Sequence, residues 1–439
     1  MSTSRRRSRD SVGDVSGQNT DVIPAQRRGA RQILAAGIGN TAEWYDWYIY
    51  SFLTRYFAPQ IFPGDNALAQ TLSSFAVFAV GFFLRPIGGL LIGALADRWG
   101  RRNTLTLTIL TMGAASLIIA ITPTYASVGI LAPVILVFAR LVSGLSIGGE
   151  FAANTTFLVE SAPEGRRGFY SSFQYVSTTI GQLIASGLAT VLTLTLTSSQ
   201  MNSWGWRIGF AVGALIALVG LWIRRAAVET HVPPVEHKPH LFEAIVRFPK
   251  PSLLIIGVTI AGTISYYTWT TYLPNYAEQN KVDPSMALLI STISLAFFGA
   301  IQPLVGSLSD RIGRKPLLII FAAAFAVGIV PGLALIRSGP SFGGYLLISL
   351  LGMVLLSGFT SISAALNAEI VPGRVRAAGI GFPYSLTVAL FGGTAPFIGT
   401  FFAERGNPGL FGWWVALLCV VSLVVYIVMP ETSRKPLAD

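Results

Sequence analysis

Long runs of apolar residues, separated by short polar gaps, extend along the chain from about residue 30 to about residue 430. A helix needs about 20 mostly apolar residues to cross the hydrocarbon core of a bilayer, and division of the runs at glycines, prolines and polar gaps gives twelve segments. The apolar–polar alternation typical of membrane β-strands does not occur in the sequence. We therefore predict an all-α membrane protein with twelve transmembrane helices. Numbered as spans 1 to 12, the predicted helices are 31–56, 72–96, 104–122, 130–158, 168–194, 205–224, 251–276, 285–309, 316–336, 343–369, 376–402 and 409–429.

The composition excludes several classes of protein. Of the 439 residues, 52% are hydrophobic and 12% are charged, whereas soluble domains carry about 25% charged residues. A soluble enzyme, a disulfide scaffold and a disordered chain are therefore excluded. The sequence has neither a His, Cys and Asp cluster that would hold a metal nor a nucleophile motif, so we expect no metal, no cofactor and no enzymatic activity. The net charge of +11 lies in the gaps between apolar runs rather than on one face, so nucleic acid is not an expected partner.

The distribution of basic residues predicts the orientation of the helices. With the N-terminus inside, 24 of the 31 Lys and Arg residues fall in cytoplasmic segments and four in outer loops or helix ends. Because cytoplasmic loops carry the excess of basic residues, we predict a multi-pass protein of the plasma (inner) membrane with both termini cytoplasmic.

Residues 1–28 are rich in Arg and Ser and lack the apolar core of a signal peptide, so we expect a disordered cytoplasmic tail.

One pattern of glycine, aspartate and basic residues occurs twice, after span 2 and again 213 residues later, after span 8. A second pattern, which begins at Glu160 after span 4 and at Glu369 after span 10, repeats at nearly the same offset. Two matches at one offset predict two halves of six helices each. The first pattern comprises Gly93, Asp97, Arg98, Gly100, Arg101 and Arg102, and then Gly306, Asp310, Arg311, Gly313, Arg314 and Lys315. The predicted organisation is a tail (1–28), an N-terminal half (29–225), a cytoplasmic linker (226–250), a C-terminal half (251–430) and a short tail (431–439), in a monomer.

The doubled pattern is interpreted as a gate at the cytoplasmic face. Asp97 and Asp310 would lie at helix ends, where helix N-termini and neighbouring guanidinium groups can hold a carboxylate. Ion pairs across the face would break when one half rocks against the other around a central site. The alternative is that the basic residues only set topology. The predicted partners of Glu160 and Glu369 are Arg98, Arg101, Arg311 and Arg314.

Four ionisable residues within the spans are predicted to meet near the middle of the membrane. At 1.5 Å per helical residue, Glu43, Arg85 and Glu150 lie roughly 15–18 Å from the cytoplasmic face, and Asp46 lies one turn beyond Glu43. Burial of such groups costs several kcal/mol unless they are paired. Arg85 is predicted to bind a substrate carboxylate, because its planar fork matches two carboxylate oxygens. One of the three acids would neutralise Arg85 in the empty protein and carry a proton. The alternative is a permanent ion pair that joins spans 1, 2 and 4.

Two further arginines within the spans leave alternatives open. Arg207 lies near the outer face between Trp204 and Trp206, which are interpreted as an interfacial belt. It is either a second carboxylate site or an anchor. Arg140 lies on span 4 among small residues, so it serves either helix packing or proton coupling.

Polar and aromatic side chains on spans 5, 7 and 11 could line a central cavity. Their hydroxyls and amides would bind a keto or carboxyl group, although aromatic runs in membrane helices also serve packing. The candidates are Gln174, Tyr175, Gln182, Tyr266, Tyr267, Trp269 and Tyr384.

The doubled pattern resembles the signature of the major facilitator superfamily, and further segments resemble its metabolite:proton symporter branch. The resemblance covers about residues 30–430. It implies a twelve-helix transporter that moves a small carboxylate with protons, with a dicarboxylate such as 2-oxoglutarate as the first candidate. Ser143 departs from the branch, which carries Gln there, and this puts a hydrogen bond to Arg140 in doubt. The branch is marked by Gly39–Asp46, Leu84–Gly89, Arg140–Glu150 and Trp204–Arg207, and its 2-oxoglutarate permeases by Ser172–Tyr175, Tyr267–Tyr272 and Thr360–Ser363.

Other functions on the same fold remain open from the sequence. One is uptake of a zwitterionic osmolyte such as proline or betaine, with aromatic side chains forming a cage for the cation. Others are uptake of citrate, shikimate or an aromatic acid, and a receptor that does not transport. Tyr175 and Tyr267 are the preferred substrate contacts because the resemblance is close around them.

Overall fold

Helices account for nearly all of the described chain. The computed structural model describes residues 25–64, 66–88, 101–147, 150–160, 162–225, 249–372, 376–433 and 437, and no strand occurs among them. The all-α fold with twelve spans in two halves of six is confirmed. The spans are Ala25–Ile61, Ala67–Gly88, Arg101–Ile121, Leu131–Ile147 with Glu150–Glu160, Arg167–Thr195, Trp206–Arg225, Pro249–Gln279, Pro284–Ile312, Lys315–Arg337, Phe342–Thr360 with Ser363–Ile370, Arg376–Thr387 with Val388–Gly393 and Ala395–Glu404, and Gly409–Val428.

The bundle carries its apolar surface on the outside and much of its polar surface within. Among the described residues, nine helices are long and apolar enough to cross a membrane, and spans 3 and 4 contribute shorter apolar helices. Val327 and Val428 on spans 9 and 12 are 78% and 79% exposed, as expected where lipid is the solvent. Span 1 is more polar, and its residues from Trp44 to Leu53 are buried by the other spans. A helix with acidic residues is therefore placed where lipid does not reach it.

Spans 1–6 and spans 7–12 meet along a long interface. Span 5 packs against span 8, span 2 against span 11, and span 1 against span 7. Span 10 contacts spans 4 and 5. Residues 1–24 of the predicted tail and 226–248 of the predicted linker lie outside the described residues, so these domain boundaries stay predictions. Span 1 begins at Ala25 and span 7 at Pro249, a few residues earlier than predicted.

Glycines allow the spans to approach closely at several crossings. A β-carbon on Gly144 of span 4 would stand 2.1 Å from the carbonyl oxygen of Gly81 on span 2. One on Gly306 of span 8 would stand 2.5 Å from the carbonyl oxygen of Gly168 on span 5. Small residues at helix crossings are the usual means by which membrane helices reach backbone contact.

Gly144→Ala is expected to destabilise the bundle by about 1–3 kcal/mol, because the added methyl group meets backbone that cannot move aside. Gly187→Ala is the matched control, since a β-carbon there has no neighbour within 4 Å. It is expected to be neutral or to stabilise by about 0.5–1 kcal/mol through helix propensity. Thermal unfolding of the purified variants in detergent gives the comparison, and equal stability of the two would contradict the assigned crossing.

Two spans of the C-terminal half depart from α-helical geometry near their middle. Tyr267–Tyr272 in span 7 and Val388–Gly393 in span 11 are π-helical. Span 10 is interrupted at Ser361 and Ile362. Such departures are rare and concentrate at functional sites, and interrupted helices at mid-depth are typical of transporter binding sites.

Candidate functional site

An ion pair between spans 1 and 2 lies inside the bundle. Nη2 of Arg85 is 3.3 Å from Oε1 of Glu43, and the two side chains are 8% and 6% exposed. The guanidinium carbon lies 5.4 Å, 4.9 Å and 4.2 Å from the ring centroids of Trp44, Trp47 and Phe82. Nε of Arg85 has no hydrogen-bond partner among the described residues. The group is therefore shielded from water but can still donate to a further oxygen atom.

A second buried ion pair lies one turn farther along span 1. Nη1 of Arg140 is 2.8 Å from Oδ2 of Asp46, and the hydroxyl of Ser116 donates to Oδ1 at 2.7 Å. Nε and Nη2 of Arg140 lack hydrogen-bond partners within the described part of the chain, as does the hydroxyl of Ser143. The hydroxyl of Ser143 therefore makes no hydrogen bond to Arg140 in this structure. Both oxygens of Asp46 are held, so this pair is the more tightly bound of the two.

The indole of Trp47 lies between the two ion pairs. Its centroid is 4.9 Å from the guanidinium carbon of Arg85 and 5.4 Å from that of Arg140. Of the acids predicted to neutralise Arg85, the structure places Glu43 beside it and Asp46 beside Arg140. Glu150 begins the second helical segment of span 4, and its side chain lies outside the described residues.

Tyr267 of span 7 brings the C-terminal half to the surroundings of Arg85. Its ring is edge-on to Phe82 at 5.3 Å and to Tyr266 at 5.4 Å, and it is tilted against Trp44 at 6.2 Å. The hydroxyl of Tyr267 is buried and has no hydrogen-bond partner among the residues described. Two of the rings around Arg85 therefore also contact Tyr267, which joins the two halves at this point.

The other predicted polar residues lie in the same interface but differ in their contacts. The ring of Tyr175 is edge-on to Tyr266 at 5.2 Å, and Gln182 donates a hydrogen bond to the hydroxyl of Tyr266. The backbone carbonyl oxygen of Gln174 accepts a hydrogen bond from the side-chain amide of Asn40 at 3.2 Å. These contacts join span 5 to spans 1 and 7.

Two residues predicted to bind substrate make packing or anchoring contacts. Tyr384 stacks on Phe151 of span 4, with centroids 3.8 Å apart and ring planes at 3°. Arg207 donates from Nη1 to the carbonyl oxygens of Ala120 at 3.0 Å and Thr122 at 2.6 Å. These carbonyls end span 3, so the guanidinium caps that helix at the end of the bundle away from Arg85. The contacts of Arg207 are those of the anchor alternative.

The prediction that Trp206 belongs to an interfacial belt is wrong. Trp204 is 45% exposed, whereas Trp206 is fully buried against Phe57 and Phe210. The first helical turn of span 6 points Trp206 into the bundle, and hydropathy alone does not distinguish the two faces of that turn.

Carboxylates bridge the halves at the motif end, which is the end of the bundle that carries Asp310 and Gly313. Asp310 accepts hydrogen bonds from the backbone N–H groups of Gly168 at 2.7 Å and Phe169 at 2.9 Å. It also lies 2.9 Å from Nη1 of Arg314. Gly313 has φ of 99°, a conformation that favours glycine. A carboxylate of the C-terminal half therefore sits on the N-terminus of span 5.

Ion pairs at the motif end involve two partners that the sequence did not suggest, Arg376 and Arg167. Of the predicted partners, Arg314 lies 3.2 Å from Glu369. Glu160 lies 2.6 Å from Arg376. Arg311 is exposed at the last turn of span 8, and the predicted pairing of Glu160 with Arg98 or Arg101 lies outside the described residues. Arg167 lies 3.8 Å from Glu369. The first copy of the pattern, with Gly93, Asp97, Arg98 and Gly100, lies outside the described residues, as do the side chains of Arg101 and Arg102.

Glu431, just after span 12, caps the start of span 9. It accepts hydrogen bonds from the backbone N–H groups of Arg314 at 2.9 Å and Lys315 at 3.0 Å. Burial raises the pKa of this carboxyl, but hydrogen bonds from the backbone of Arg314, Ser433 and Lys315 outweigh burial and lower the pKa to about 2. Thr432 adds a hydrogen bond to Oε2 of Glu369 at 2.6 Å. The segment after span 12 is thus tied to the ion pairs of the motif end.

Protonation of Glu431 is expected to weaken folding as the pH falls from about 5 to about 2. The pKa of Glu431 is lower in the folded protein than in the unfolded chain, so its contribution to stability is present above the unfolded pKa and declines as pH falls. The unfolding temperature of the wild type should therefore fall more steeply with acidification than that of Glu431→Gln. Glu404→Gln, which changes an exposed carboxylate, should follow the wild type. Parallel curves for all three proteins would contradict the assignment.

The halves also contact each other at the opposite end of the bundle. Arg55 of span 1 lies 3.1 Å from Glu278 of span 7, with side chains 41% and 8% exposed. Nearer the centre, the hydroxyl of Tyr48 lies 2.6 Å from that of Thr270. With contacts between the halves at both ends, the Glu43–Arg85 pair is enclosed in this conformation.

Sequence reasoning missed the aromatic rings around Arg85 as part of the site. Phe82 lies three residues before Arg85, and Trp44 and Trp47 flank the positions of Glu43 and Asp46. Helical spacing places residues three or four apart on one face, so this signal was present in the sequence. The pairing of Arg55 with Glu278 could not be found in this way, since it joins helices from different halves.

Comparison with protein families and curated sequences gives one consistent result. The family model described as "Major Facilitator Superfamily" matches residues 37–280 and 254–439 of this chain. The alpha-ketoglutarate permease of Escherichia coli is 39% identical over 411 residues, which is 93% of this chain and 95% of that protein. The proline/betaine transporter of Escherichia coli is 30% identical over 429 residues, covering 93% of this chain and 84% of that protein.

Solved structures share the same arrangement of helices. The partially occluded inward-open conformation of the xylose transporter XylE from E. coli aligns with a TM-score of 0.71 and 20% identity, covering 92% of this chain and 98% of that one. The proton:xylose symporter XylE bound to 6-bromo-6-deoxy-D-glucose gives a TM-score of 0.72 at 20% identity, covering 94% and 98%. At this identity the likeness concerns the fold alone.

Proposed function

Since the chain belongs to the major facilitator superfamily and is therefore a membrane transporter rather than an enzyme, we propose that it imports a small carboxylate together with protons. A dicarboxylate such as 2-oxoglutarate is the first candidate, because the relative at 39% identity is an alpha-ketoglutarate permease. The observation that carries the proposal is the enclosed Glu43–Arg85 pair. The transporter acts as a multi-pass protein of the inner membrane with the motif end and both termini cytoplasmic, which the distribution of Lys and Arg supports.

Arg85 can exchange one carboxylate for another without moving. Its contact with Glu43 is a single one at 3.3 Å, and its Nε offers a further donor. A substrate carboxylate can take the place of Glu43 in the planar fork of the guanidinium. The surrounding rings exclude water, which strengthens the attraction between charges. The Asp46–Arg140 pair has a shorter contact and a third partner, so it is a poorer place for a substrate to enter.

Displacement of Glu43 provides the link to protons. A carboxylate that loses its cation in this buried position is costly unless it becomes neutral, so Glu43 takes up a proton when the substrate binds Arg85. A dianion that enters against an interior-negative potential faces about 4.6 kcal/mol per 100 mV. Proton uptake offsets this cost by reducing the charge that moves.

Alternating access follows from the contacts at the two ends. The pairs of Glu160 with Arg376 and Glu369 with Arg167, and the contact of Asp310 with span 5, hold the motif end closed. Their loss, with the Arg55–Glu278 contact retained, opens the centre to the cytoplasm as one half rocks against the other.

Transport of a zwitterionic osmolyte is the second candidate, and the proline/betaine transporters at 30% identity support it. An osmolyte with a quaternary ammonium group would need an aromatic cage. Trp44, Trp47 and Phe82 already surround the guanidinium of Arg85 at 4.2–5.4 Å, so the protein's own cation fills that cage. A carboxylate is therefore the better ligand for this site.

A competition panel in proteoliposomes with an imposed proton gradient tests the proposal. Unlabelled 2-oxoglutarate, citrate, shikimate, an aromatic acid and betaine are each added against labelled 2-oxoglutarate. Strong competition by 2-oxoglutarate and weak competition by betaine are expected. Uptake of labelled betaine, without uptake of any acid, would favour the osmolyte function. A protein that moves none of them would favour a receptor.

A further inference from the structure

The proposed substrate has a polar group at each end, and Arg85 meets only one of them. Within the described part of the chain, the aromatic rings of Trp44, Trp47 and Phe82 lie around Arg85. Arg140 is paired with Asp46, and Arg207 is held by the carbonyls that end span 3. Neutral hydrogen-bond donors can therefore receive the other end of the substrate without a second free cation.

Two hydroxyl groups on one face of span 7 are available as such donors. Thr263 and Tyr267 are four residues apart, so they lie on the same face of the helix. The two residues are 5% and 2% exposed, and Oγ1 of Thr263 and the hydroxyl of Tyr267 lack hydrogen-bond partners among the described residues. Burial of an unpaired hydroxyl is unfavourable by about 1–3 kcal/mol. Two such groups on one helix face offer hydrogen bonds that a ligand can accept.

The glycine pair of span 11 brings these hydroxyls next to the Arg85 site. A β-carbon on Gly392 would stand 2.5 Å from Oγ1 of Thr263 and 2.6 Å from the ring of Tyr267. One on Gly393 would stand 2.5 Å from the ring of Phe82, which itself covers Arg85 at 4.2 Å. Any side chain at either glycine would meet one of these groups. The π-helical segment of span 11 thus packs closely on Thr263 and Tyr267 through Gly392 and on Phe82 through Gly393. Tyr267 also contacts Phe82 directly, with ring centroids 5.3 Å apart.

We propose that the hydroxyls of Thr263 and Tyr267 form a second, uncharged subsite that binds the carboxylate oxygens at the end of the substrate remote from Arg85. The inference rests on the proposed carboxylate function and extends it. Hydroxyl donors recognise an oxygen acceptor without adding charge, so a dicarboxylate is bound at two ends and a monocarboxylate at one. A site built to hydrogen-bond a substrate group discriminates strongly against an analogue that lacks the group.

Two acids of equal chain length test the subsite: 2-oxoglutarate, and 2-oxopentanoate, in which a methyl group replaces the second carboxylate. KM values for both are measured in proteoliposomes for the wild type, Thr263→Val, Thr263→Ser and Tyr267→Phe. Valine preserves the shape of threonine without its hydroxyl, and serine preserves the hydroxyl. Thr259→Val is the matched control. Oγ1 of Thr259 is also buried without a hydrogen-bond partner among the described residues, but Thr259 lies one turn earlier and its side chain is not among the atoms nearest Gly392, so the comparison isolates the position of the hydroxyl.

Thr263→Val and Tyr267→Phe are each expected to raise KM for 2-oxoglutarate about tenfold and to leave KM for 2-oxopentanoate within about twofold. Thr263→Ser and Thr259→Val should keep the wild-type preference. Equal effects on the two acids, or an unchanged preference in Thr263→Val, would overturn the subsite while the carboxylate function stands. A wild type that transports neither acid would instead reject the carboxylate function, and the subsite with it.

Discussion

Arg85→Ala is expected to reduce carboxylate uptake by at least about 30-fold while the protein still inserts in the membrane. The substitution removes the fork that would bind the substrate, and it removes the cation that lies 3.3 Å from the buried carboxylate of Glu43. Truncation of one partner of a buried charge pair between two binding partners costs about 2–5 kcal/mol of binding free energy, which corresponds to about 30-fold to several thousand-fold in affinity. The measurement is uptake of labelled 2-oxoglutarate into proteoliposomes, normalised to the amount of reconstituted protein.

Arg85→Lys and Arg207→Ala are the controls that show whether the loss of uptake is due to the guanidinium of Arg85. Lysine keeps the charge but cannot offer two parallel donors, so Arg85→Lys should transport with a raised KM rather than lose transport. Arg207→Ala removes a partly buried arginine that lies over the ring of Trp206, but its hydrogen bonds go to carbonyls at the end of span 3. It should lower thermal stability and leave KM unchanged. Normal uptake by Arg85→Ala would reject the substrate role of this residue.

The positions of the helices were predictable because two constraints act on every span. An apolar run must be long enough to cross the bilayer, and charged residues mark its ends. Span 6 was predicted at 205–224 and is found at Trp206–Arg225. The π-helical turns of spans 7 and 11 were not predicted, because one extra residue in a helical turn does not alter the apolar pattern. They depend on packing between spans 7, 2 and 11, which only the folded bundle provides.

The sequence predicted how deep in the membrane the charged residues of the candidate site lie, but not which of them form ion pairs with one another. Counting residues from the ends of the helices placed Glu43 and Arg85 at one level and Asp46 one turn beyond. That count gives the position along the membrane normal but says nothing of the direction in which each side chain points. The choice of Arg140 as the partner of Asp46 follows from the rotation of spans 1 and 4 about their axes. The pair between Glu160 and Arg376 depends in addition on how the two halves are apposed.

Glu43→Gln is expected to uncouple transport, so that the variant exchanges substrate across the membrane but no longer accumulates it. Glutamine has the shape of protonated glutamic acid and no charge, so Arg85 stays available to the substrate at every pH. In the wild type, an ionised Glu43 competes with the substrate for Arg85. Wild-type affinity should therefore fall as pH rises, whereas the affinity of Glu43→Gln should stay constant. Without a proton bound at this position, nothing offsets the electrical cost of moving the anion.

Asp46→Asn identifies which buried acid takes up the proton. It neutralises the other paired carboxylate of span 1, whose oxygens are held by Arg140 and Ser116. Counterflow and uphill uptake are measured for both variants in the same proteoliposomes. If Glu43 is the proton site, Asp46→Asn keeps a pH-dependent KM, because Glu43 still competes for Arg85. If Glu43→Gln concentrates substrate and Asp46→Asn does not, the proton binds at the Asp46–Arg140 pair. Substrate binding at Arg85 would then be coupled to that pair through the indole of Trp47, which contacts both arginines.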